Sequence, residues 1–447
     1  MKFKSILFSL LASVVGLSAF GGRANYAQPN YDKGKIAPYT LEDPLTFVDG
    51  TKVKTPADWE RRRQEILDIF AKNMFGQPPP APEAVVFEKF DEGVMIGGFG
   101  IRRQYRMWFK KDKTGPSIDW LVLSPRYAKK PATPILFLNY SGNHELIRDP
   151  KVSIPKMWRL FHAQYKPEEL RGIYDGHHAD KKDINPAEFM FPADGLLARG
   201  YAVVTACYAQ VSPDAARPTK DPATGETMTA WQGVFDLWPA RDPKRTDNTT
   251  SIGAWAWALS RGLDLVEQIP GLDAKHAIAA GYSRLGKTAL VAAARDTRFA
   301  ACVPNQTGGG GCPLLKRNYG ENVEALMRNF PHWFCSDFGK YAGREKEMPF
   351  DSHLLMACIA PRKLLVEGFD DPFYDTEGEF EALKAASPVW TFLGREGLPR
   401  TTWPKAYDTS AIGKSVGYVR RSERHGLSAH DWTWIMDFAS DKQGGRK

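Results

Sequence analysis

The sequence predicts an α/β fold: a doubly wound, mostly parallel sheet with helices on both faces, N-terminal antiparallel strands and long insertions. From about residue 134 to the C-terminus, strand-like apolar runs alternate with segments of helical spacing, the pattern of parallel strands joined by helices. Residues 97–110 and 117–124 alternate apolar and polar side chains, which is typical of antiparallel strands. Residues 276–295 form a buried strand, a glycine-bounded turn and an alanine-rich helix in succession.

The individual elements follow in chain order. A helix is expected at 57–75, after the start signal Thr55–Pro56. Residues 250–269 have amphipathic helical spacing, and Trp255 and Trp257 within them are expected in the core rather than in a binding site. The other expected helices end at 199–200 or lie near 353–358, at 377–393 and at 429–439, and the other expected strands lie at 134–139, 201–208, 299–304, 363–369 and 414–420.

Two long polar segments, 145–185 and 209–249, interrupt this pattern. Irregular segments of this length in a compact domain are usually functional covers or insertions. Both follow strands, so we expect them at the carboxyl edge of the sheet, where open α/β sheets bind their ligands. The sequence does not decide whether 145–185 forms a lid.

The N-terminus carries a targeting segment. Two lysines precede an apolar run at 6–17, and small residues follow up to Gly22. This is the pattern of a secretory signal peptide, which predicts a secreted or periplasmic protein with residues 1–22 removed. No later segment is apolar enough to cross a membrane, so no membrane association is expected after cleavage. Residues 23–447 are expected to form a single catalytic domain.

Composition narrows the classes of function. The 447-residue chain is 43% apolar and 25% charged, with a formal net charge of +8, which is ordinary for a globular protein. The basic residues are scattered and form no basic aromatic array, so nucleic acid is not an expected partner. The five cysteines are too few for a disulfide scaffold and match no zinc spacing, so we expect mostly buried thiols with room for one disulfide. His177–His178 makes at best a weak metal site, and no metal or organic cofactor is expected.

The turn at 281–286, Gly-Tyr-Ser-Arg-Leu-Gly, has the features of a nucleophile elbow. A strand that reverses into a helix through a serine lifts the hydroxyl above the sheet edge, and the flanking glycines let the two backbones approach closely. Ser283 is therefore the candidate nucleophile. Leu285 stands where the general pattern has its second glycine, and the alternative interpretation is that Ser283 only caps the following helix.

A serine nucleophile needs a base in contact and usually an acid that orients the base. Asp370 and Asp371 directly follow one predicted strand, and His425 follows the next. Asp370 is the first choice for the acid because it is nearest the strand end, with Asp371 as the alternative; His430 is a weaker candidate base. The chain order serine, acid, histidine is that of the α/β-hydrolase fold, in which a loop such as 140–144 supplies an oxyanion-hole amide.

Several longer motifs surround these residues. The elbow extends to Gly-Tyr-Ser-Arg-Leu-Gly-Lys at 281–287, and Gly-Ala-Trp-Ala-Trp-Ala-Leu-Ser-Arg occupies 253–261. The remaining motifs are the glycine-rich loop 308–311, Tyr-Gly-Glu at 319–321, Pro-His-Trp-Phe-Cys at 331–335, Gly-Glu-Phe at 378–380 and His-Gly-Leu from 425. Over roughly residues 130 to 440, this set resembles the glucuronoyl esterases of bacterial type, carbohydrate esterases that cleave the ester between 4-O-methyl-glucuronate side chains of xylan and lignin alcohols.

The resemblance implies a role for each matching residue. Ser283 would be the nucleophile and His425 the base. The side chain of Arg284 would stabilise the oxyanion, as a fixed cation aimed at the charge that develops in the transition state. The residues expected to bind the substrate are Lys287, Glu321, Trp333 and Phe373.

Four positions depart from the family pattern. Gln306 stands where fungal members carry the triad glutamate, and an amide is not an anionic partner, so the acid is expected from the two aspartates named above. Tyr282 and Gly426 stand where cysteines join the serine and histidine loops in fungal members. Phe373 stands where a sugar-facing tryptophan is usual.

The expected function is that of a secreted serine carboxylic-ester hydrolase that cleaves glucuronoyl esters through an acyl-enzyme. Its expected partner is a polysaccharide or a lignin-carbohydrate ester. Two alternatives stay open. One is an esterase for another sugar or acyl ester, such as acetylated xylan, which Gln306 and Phe373 favour. The other is a non-catalytic polysaccharide-binding relative that has lost its acid. The sequence indicates neither the leaving alcohol nor the oligomeric state.

Overall fold

The computed structural model describes residues 29–156, 158, 166–174, 190–221 and 224–440. The expected signal peptide at 1–22, His177–His178 and parts of the 145–185 insertion lie outside these residues. Of the helices described, none is long and apolar enough to cross a membrane.

The main sheet of the described chain has nine strands. In chain order they are β1 (Val86–Val94), β2 (Gly100–Trp108), β3 (Ser117–Pro125), β4 (Thr133–Asn139), β5 (Tyr201–Cys207), β6 (Ile278–Tyr282), β7 (Ala301–Asn305), β8 (Lys363–Phe369) and β9 (Val416–Arg421). Their spatial order is β1-β2-β3-β5-β4-β6-β7-β8-β9. The pairs among β1, β2, β3 and β5 are antiparallel, and all pairs from β5 to β9 are parallel. The predicted mostly parallel sheet with N-terminal antiparallel strands is confirmed.

Helices cover both faces of this sheet. Within the described residues they are α1 (Pro56–Phe70), α2 (Ala193–Ala198), α3 (Tyr208–Val211), α4 (Ser251–Val266), α5 (Arg284–Arg295), α6 (Val323–Asn329), α7 (Ser352–Ala357), α8 (Thr376–Ala386), α9 (Pro388–Phe392) and α10 (Ala429–Ala439). Thr55 begins α1 with a capping box, and α1 continues into a π-helical turn at Ala71–Phe75. Apart from this turn, the predicted helix at 57–75 is correct.

Two apolar clusters lie on the two faces of the sheet. Along β3, Trp120 belongs to one cluster and Leu121 to the other, because successive side chains of a strand point to opposite faces. The first cluster is covered by α1, α4, α5, α7 and α8, and the second by α2 and α10. Trp255 and Trp257 are buried in the first cluster, so their predicted core role is confirmed.

Local sequence explains where the prediction missed elements. The edge strand β1 reads Val-Phe-Glu-Lys-Phe-Asp-Glu-Gly-Val and is largely exposed, so it lacks the apolar alternation that marks a half-buried strand. The predicted helix at 377–393 is two helices, because Pro388 begins α9 and cannot continue the hydrogen bonding of α8. All five cysteines are buried and unpaired, as small hydrophobic residues.

Candidate active site

The elbow serine has the backbone of a nucleophile elbow. Ser283 lies between β6 and α5 with φ 57° and ψ −132°, a conformation that non-glycine residues rarely adopt and that clusters at active sites. Its side chain makes no capping hydrogen bond to α5, and a helix cap has extended backbone instead. The capping interpretation is therefore wrong.

The two glycines of the elbow are required by close backbone contacts. A Cβ atom at Gly281 would lie 2.3 Å from the Leu285 oxygen, and one at Gly286 would lie 2.8 Å from the Asn305 oxygen. The Ser283 amide donates to the same Asn305 oxygen at 2.9 Å. The second glycine thus serves its purpose one residue later than in the general pattern, because α5 packs against β7 at that point.

His425 lies in the loop between β9 and α10, beside the elbow. The centroid of its ring is 5.4 Å from that of Tyr282, 5.4 Å from that of Phe369 and 4.8 Å from that of Tyr374. Tyr282 directly precedes Ser283, so the fold brings the predicted nucleophile and base to the same carboxyl edge of the sheet.

The hydrogen-bond partner of His425 is Gln306. Its Oε1 atom lies 2.9 Å from His425 Nδ1 and accepts a second hydrogen bond from the Gly426 amide at 2.9 Å, while its Nε2 atom donates to the Gly426 carbonyl at 2.6 Å. These two contacts with Gly426 fix which end of the amide is oxygen, an assignment that geometry alone leaves open. His425 must therefore donate from Nδ1, which leaves Nε2 as the basic nitrogen.

The expectation that Asp370 or Asp371 orients His425 does not agree with this geometry. Asp370 is exposed and pairs with Arg420. Asp371 turns back to accept from the Phe373 amide at 2.8 Å, at the start of the short 3-10 helix Pro372–Tyr374. Each aspartate satisfies a local partner next to β8, whereas Gln306 follows β7 and reaches the histidine loop directly.

A buried ion pair holds the histidine loop. Arg421, at the end of β9, donates to the carbonyls of Arg424 at 2.8 Å and Gly426 at 2.5 Å, on both sides of His425. Its Nε atom pairs with both carboxylate oxygens of Asp431 in α10, at 3.1 and 2.9 Å. Both partners are almost fully buried. The cysteines that join the serine and histidine loops in fungal members are absent from this chain. A buried salt bridge holds the histidine loop here instead.

The surroundings of His425 disfavour its protonation. Burial, followed by the positive charges of Arg284, Arg421 and Lys287, lowers the pKa of His425 to about 3. The partner amide of Gln306 carries no charge that would offset them. The imidazole is thus held neutral, as a general base must be before it accepts a proton.

Arg284 is held by a carboxylate from the 209–249 insertion. Its guanidinium pairs with Asp214 and lies 4.7 Å from the ring centroid of Trp333. Asp214 also accepts from His332 Nε2 at 2.7 Å, from Trp333 Nε1 at 2.8 Å and from the Tyr208 hydroxyl at 3.0 Å. Burial opposes the ionisation of Asp214, but Arg284, His332 and Trp333 hold its pKa below the usual range. The result is a cation that is fixed directly after Ser283.

Lys287 and Glu321 form a second buried charged pair one helical turn further along α5. Lys287 Nζ donates to the Thr307 carbonyl at 2.5 Å and lies 3.9 Å from Glu321 Oε2 and 5.3 Å from the centroid of the Trp333 ring. Burial lowers the pKa of Lys287. Burial raises the pKa of Glu321, and the neighbouring cations offset that rise only in part. Half-buried Phe373 accepts from the Glu321 amide through its backbone carbonyl at 3.0 Å, and the substrate-binding role of these residues stays a prediction.

Sequence reasoning missed three members of this site. Asp214 lies in a polar insertion that gives no local signal, and Arg421 lies within a buried strand. Tyr140, at the end of β4, donates from its hydroxyl to the Tyr282 carbonyl at 2.8 Å, where only a backbone amide was expected. Burial raises the pKa of Tyr140 to about 12, so its hydroxyl stays protonated beside the elbow. Within the described residues, no group of three or more His, Cys, Asp or Glu side chains is arranged to hold a metal ion.

A parallel sheet that carries a strained serine elbow at its carboxyl edge, with a histidine loop after its last strand, defines an enzyme of the α/β-hydrolase fold. Residues 227–394 match the family model of fungal glucuronyl esterases. A carbohydrate esterase from an unknown prokaryotic organism is 33% identical, over 94% of each chain. A glucuronoyl esterase from Solibacter usitatus is 32% identical over 92% of this chain and 100% of its own, with a TM-score of 0.80. A promiscuous esterase of carbohydrate esterase family 15, from a marine bacterial metagenome, is 32% identical over 92% and 99%, with a TM-score of 0.81. The chain belongs to the glucuronoyl esterase family and is a carboxylic-ester hydrolase.

Proposed function

We propose that this chain hydrolyses esters of glucuronic acid in lignin-carbohydrate material through a serine acyl-enzyme. The observation that carries the proposal is the set of side chains around one strained serine: a neutral imidazole on one side, a fixed guanidinium next to it, and a buried lysine–glutamate pair beyond. The names of the similar proteins, glucuronoyl esterase among them, support the sugar acid as the acyl part.

Acylation begins with the Ser283 hydroxyl. Its oxygen attacks the ester carbonyl carbon, and His425 Nε2 takes the proton, because Nδ1 is engaged with Gln306. The tetrahedral intermediate then expels the alcohol, which receives that proton from His425. In the second half, His425 takes a proton from water, the resulting hydroxide attacks the acyl carbon, and Ser283 leaves with its proton restored. The products are an alcohol and a uronic acid.

The oxyanion of each intermediate is stabilised by Arg284. Its guanidinium is already fixed by Asp214 and Trp333, so no reorganisation is needed when the negative charge develops. A cation that interacts with the developing charge more strongly than with the neutral ester lowers the barrier rather than only the KM.

The sugar is recognised by the pair that follows the elbow. Lys287 donates to ring or hydroxyl oxygens, and Glu321 accepts from sugar hydroxyls. Both are buried, so their hydrogen bonds are made where water does not compete. Phe373 offers an apolar edge without the N–H group of a tryptophan, which leaves the substrate one hydrogen bond fewer at that position.

Benzyl glucuronate is the test substrate, with an acetyl ester as the control. The wild-type chain should turn over the glucuronate ester, and Ser283→Ala should abolish this turnover while leaving the thermal transition nearly unchanged. Turnover that survives in Ser283→Ala would refute the serine mechanism. Activity on acetyl esters alone would support the second candidate, an esterase for another sugar or acyl ester, which Phe373 favours. Inactivity on both would favour a non-catalytic binding protein.

We also propose that the working enzyme is the single domain 23–447, exported after removal of residues 1–22. The charged and apolar pattern of the N-terminus supports export. Mass spectrometry of the protein recovered from the medium or periplasm should give a chain that begins close to residue 23. A chain that retains Met1 would contradict this proposal.

A further inference from the structure

Three backbone segments lie side by side at the rim of the active site. The Gly320 amide donates to the Asn30 carbonyl at 2.8 Å, and Asn30 Nδ2 donates to the Asn318 carbonyl at 3.0 Å. The amide of Glu321 in turn donates to the Phe373 carbonyl at 3.0 Å. The segment at 29–32 is therefore fixed against the loop that carries Glu321, a predicted sugar-binding residue.

Tyr31 projects from the outermost of these segments. Its side chain is 51% exposed, although it is aromatic. After burial, the largest influences on its phenol are the negative charges of Asp371 and Glu321, which raise its pKa. The phenol thus lies within electrostatic range of the catalytic rim, and its hydroxyl stays protonated as a donor.

Tyr31 borders a cleft of about 560 Å³ that is largely open to solvent. The cleft combines one aromatic face with amide and charged groups. Its lining consists of Pro29, Asn30, Tyr31, Asp32, Lys35 and Asn318. An exposed aromatic ring beside several hydrogen-bonding groups suits a pyranose ring, which presents an apolar face and polar edges.

The direction of the cleft separates the two ends of the substrate. His425 must deliver a proton to the leaving alcohol, so the alcohol departs beside the histidine loop. The residues that line the cleft include Asn30 and Asn318, which lie on or against the loop that carries Glu321, and none of them belongs to the histidine loop. The cleft therefore adjoins the loop of the predicted sugar-binding residue Glu321 and not the histidine loop.

We propose that the Tyr31 cleft is a binding subsite for neutral sugar residues of the polysaccharide chain that carries the esterified uronate. The inference rests on the proposed function for the identity of the bound chain. Tyr31 stacks on one sugar ring, and Asn30 and Asn318 bond the hydroxyls of that ring or the next. The subsite contributes to the binding of polymeric substrate and not to the chemical step.

Two substrates and one matched control test the subsite. Tyr31→Ala should raise the KM for methyl-esterified glucuronoxylan about five-fold, the size of one lost aromatic contact, with kcat unchanged. The same variant should leave the KM and kcat for benzyl glucuronate unchanged, and Tyr31→Trp should restore the polymer KM. The control is Tyr127→Ala. Tyr127 is 73% exposed and lies between β3 and β4, at the opposite edge of the sheet, so it should affect neither substrate.

Binding without turnover separates this inference from the proposed function. Titration calorimetry with an unesterified xylan oligosaccharide should show binding that Tyr31→Ala weakens and Tyr127→Ala retains, whether or not the chain cleaves glucuronate esters. Equal oligosaccharide binding in wild type and Tyr31→Ala would overturn the subsite, as would an unchanged polymer KM. A loss confined to benzyl glucuronate would also overturn it, because the cleft would then hold the alcohol.

Discussion

Replacing Gln306 with glutamate puts a charge at the neutral partner of the proposed base, His425. Gln306 Oε1 lies 2.9 Å from His425 Nδ1, so Gln306→Glu places a carboxylate at hydrogen-bond distance from the imidazole. An opposite charge at that range raises the pKa of a histidine by about 1–3 units. Each unit corresponds to about 1.36 kcal/mol of preferential stabilisation of the imidazolium, the form that develops as Ser283 is deprotonated.

Two measurable effects follow from that stabilisation. In the wild type the pKa of His425 is about 3, so kcat/KM should stay constant from neutral pH to well below pH 6.5 and fall only when the imidazole is protonated. In Gln306→Glu this acid limb should move up by about 1–3 pH units, and kcat/KM at pH 7 should rise by roughly ten-fold, the equivalent of one pKa unit. The Gly426 carbonyl loses one donor but keeps its hydrogen bond from Arg421, so the free energy of unfolding should fall by about 0.5–1.5 kcal/mol.

The assay is the pH dependence of kcat/KM for benzyl glucuronate between pH 3 and 9, with urea unfolding measured in parallel. Gln306→Leu serves as the matched control, since it keeps the approximate volume but offers no acceptor to Nδ1 and should lower kcat/KM about 10²-fold or more. A folded Gln306→Glu enzyme with the acid limb and kcat/KM of the wild type would refute the reasoning. His425 would then be oriented by another group.

Three further substitutions test the remaining contacts. Asp371→Asn should leave kcat/KM within about two-fold and the acid limb in place, because Asp371 caps the Phe373 turn instead of contacting His425. A large loss of kcat/KM would restore Asp371 as the triad acid. Arg421→Met should lower the free energy of unfolding, measured in urea, by about 3–5 kcal/mol, since it leaves the buried Asp431 carboxylate without its ion-pair partner. It should also lower kcat in the folded fraction. A wild-type kcat would show that the histidine loop does not need this salt bridge. Arg284→Lys should lower kcat by about 10²–10³-fold with a smaller change in KM, and an effect on KM alone would assign Arg284 to ground-state binding.

Much of the fold follows from local sequence patterns. Strands β4 to β9 are short, apolar and separated by helices with clear spacing, so alternation alone located them, and β8 and α10 begin and end at the predicted residues. Edge strand β1 could not be found in this way, since solvent faces much of it and its apolar and charged residues do not alternate. Exposure removed the apolar periodicity on which the prediction depends.

The placement of Ser283 and His425 in the site was predictable, because the order of the strands along the chain determines where the residues that follow them lie. Ser283 and His425 follow buried strands, and parallel strands bring their carboxyl ends to one edge. The partner of His425 was not predictable in this way, because the side chains after β7 and β8 lie at the same edge, and only three-dimensional contacts show that Gln306 and not an aspartate reaches Nδ1. Asp214 comes from an insertion without periodicity, and its burial against Arg284 depends on tertiary packing.

Covalent labelling tests the central claim most directly. A fluorophosphonate probe should form one adduct per chain, located by peptide mass spectrometry on Ser283, and benzyl glucuronate should compete with the labelling. His425→Ala should slow the labelling strongly, whereas Asp371→Asn should not, because the imidazole is the base and Gln306 its partner. An adduct on another residue, or labelling of Ser283 that does not depend on His425, would contradict the account.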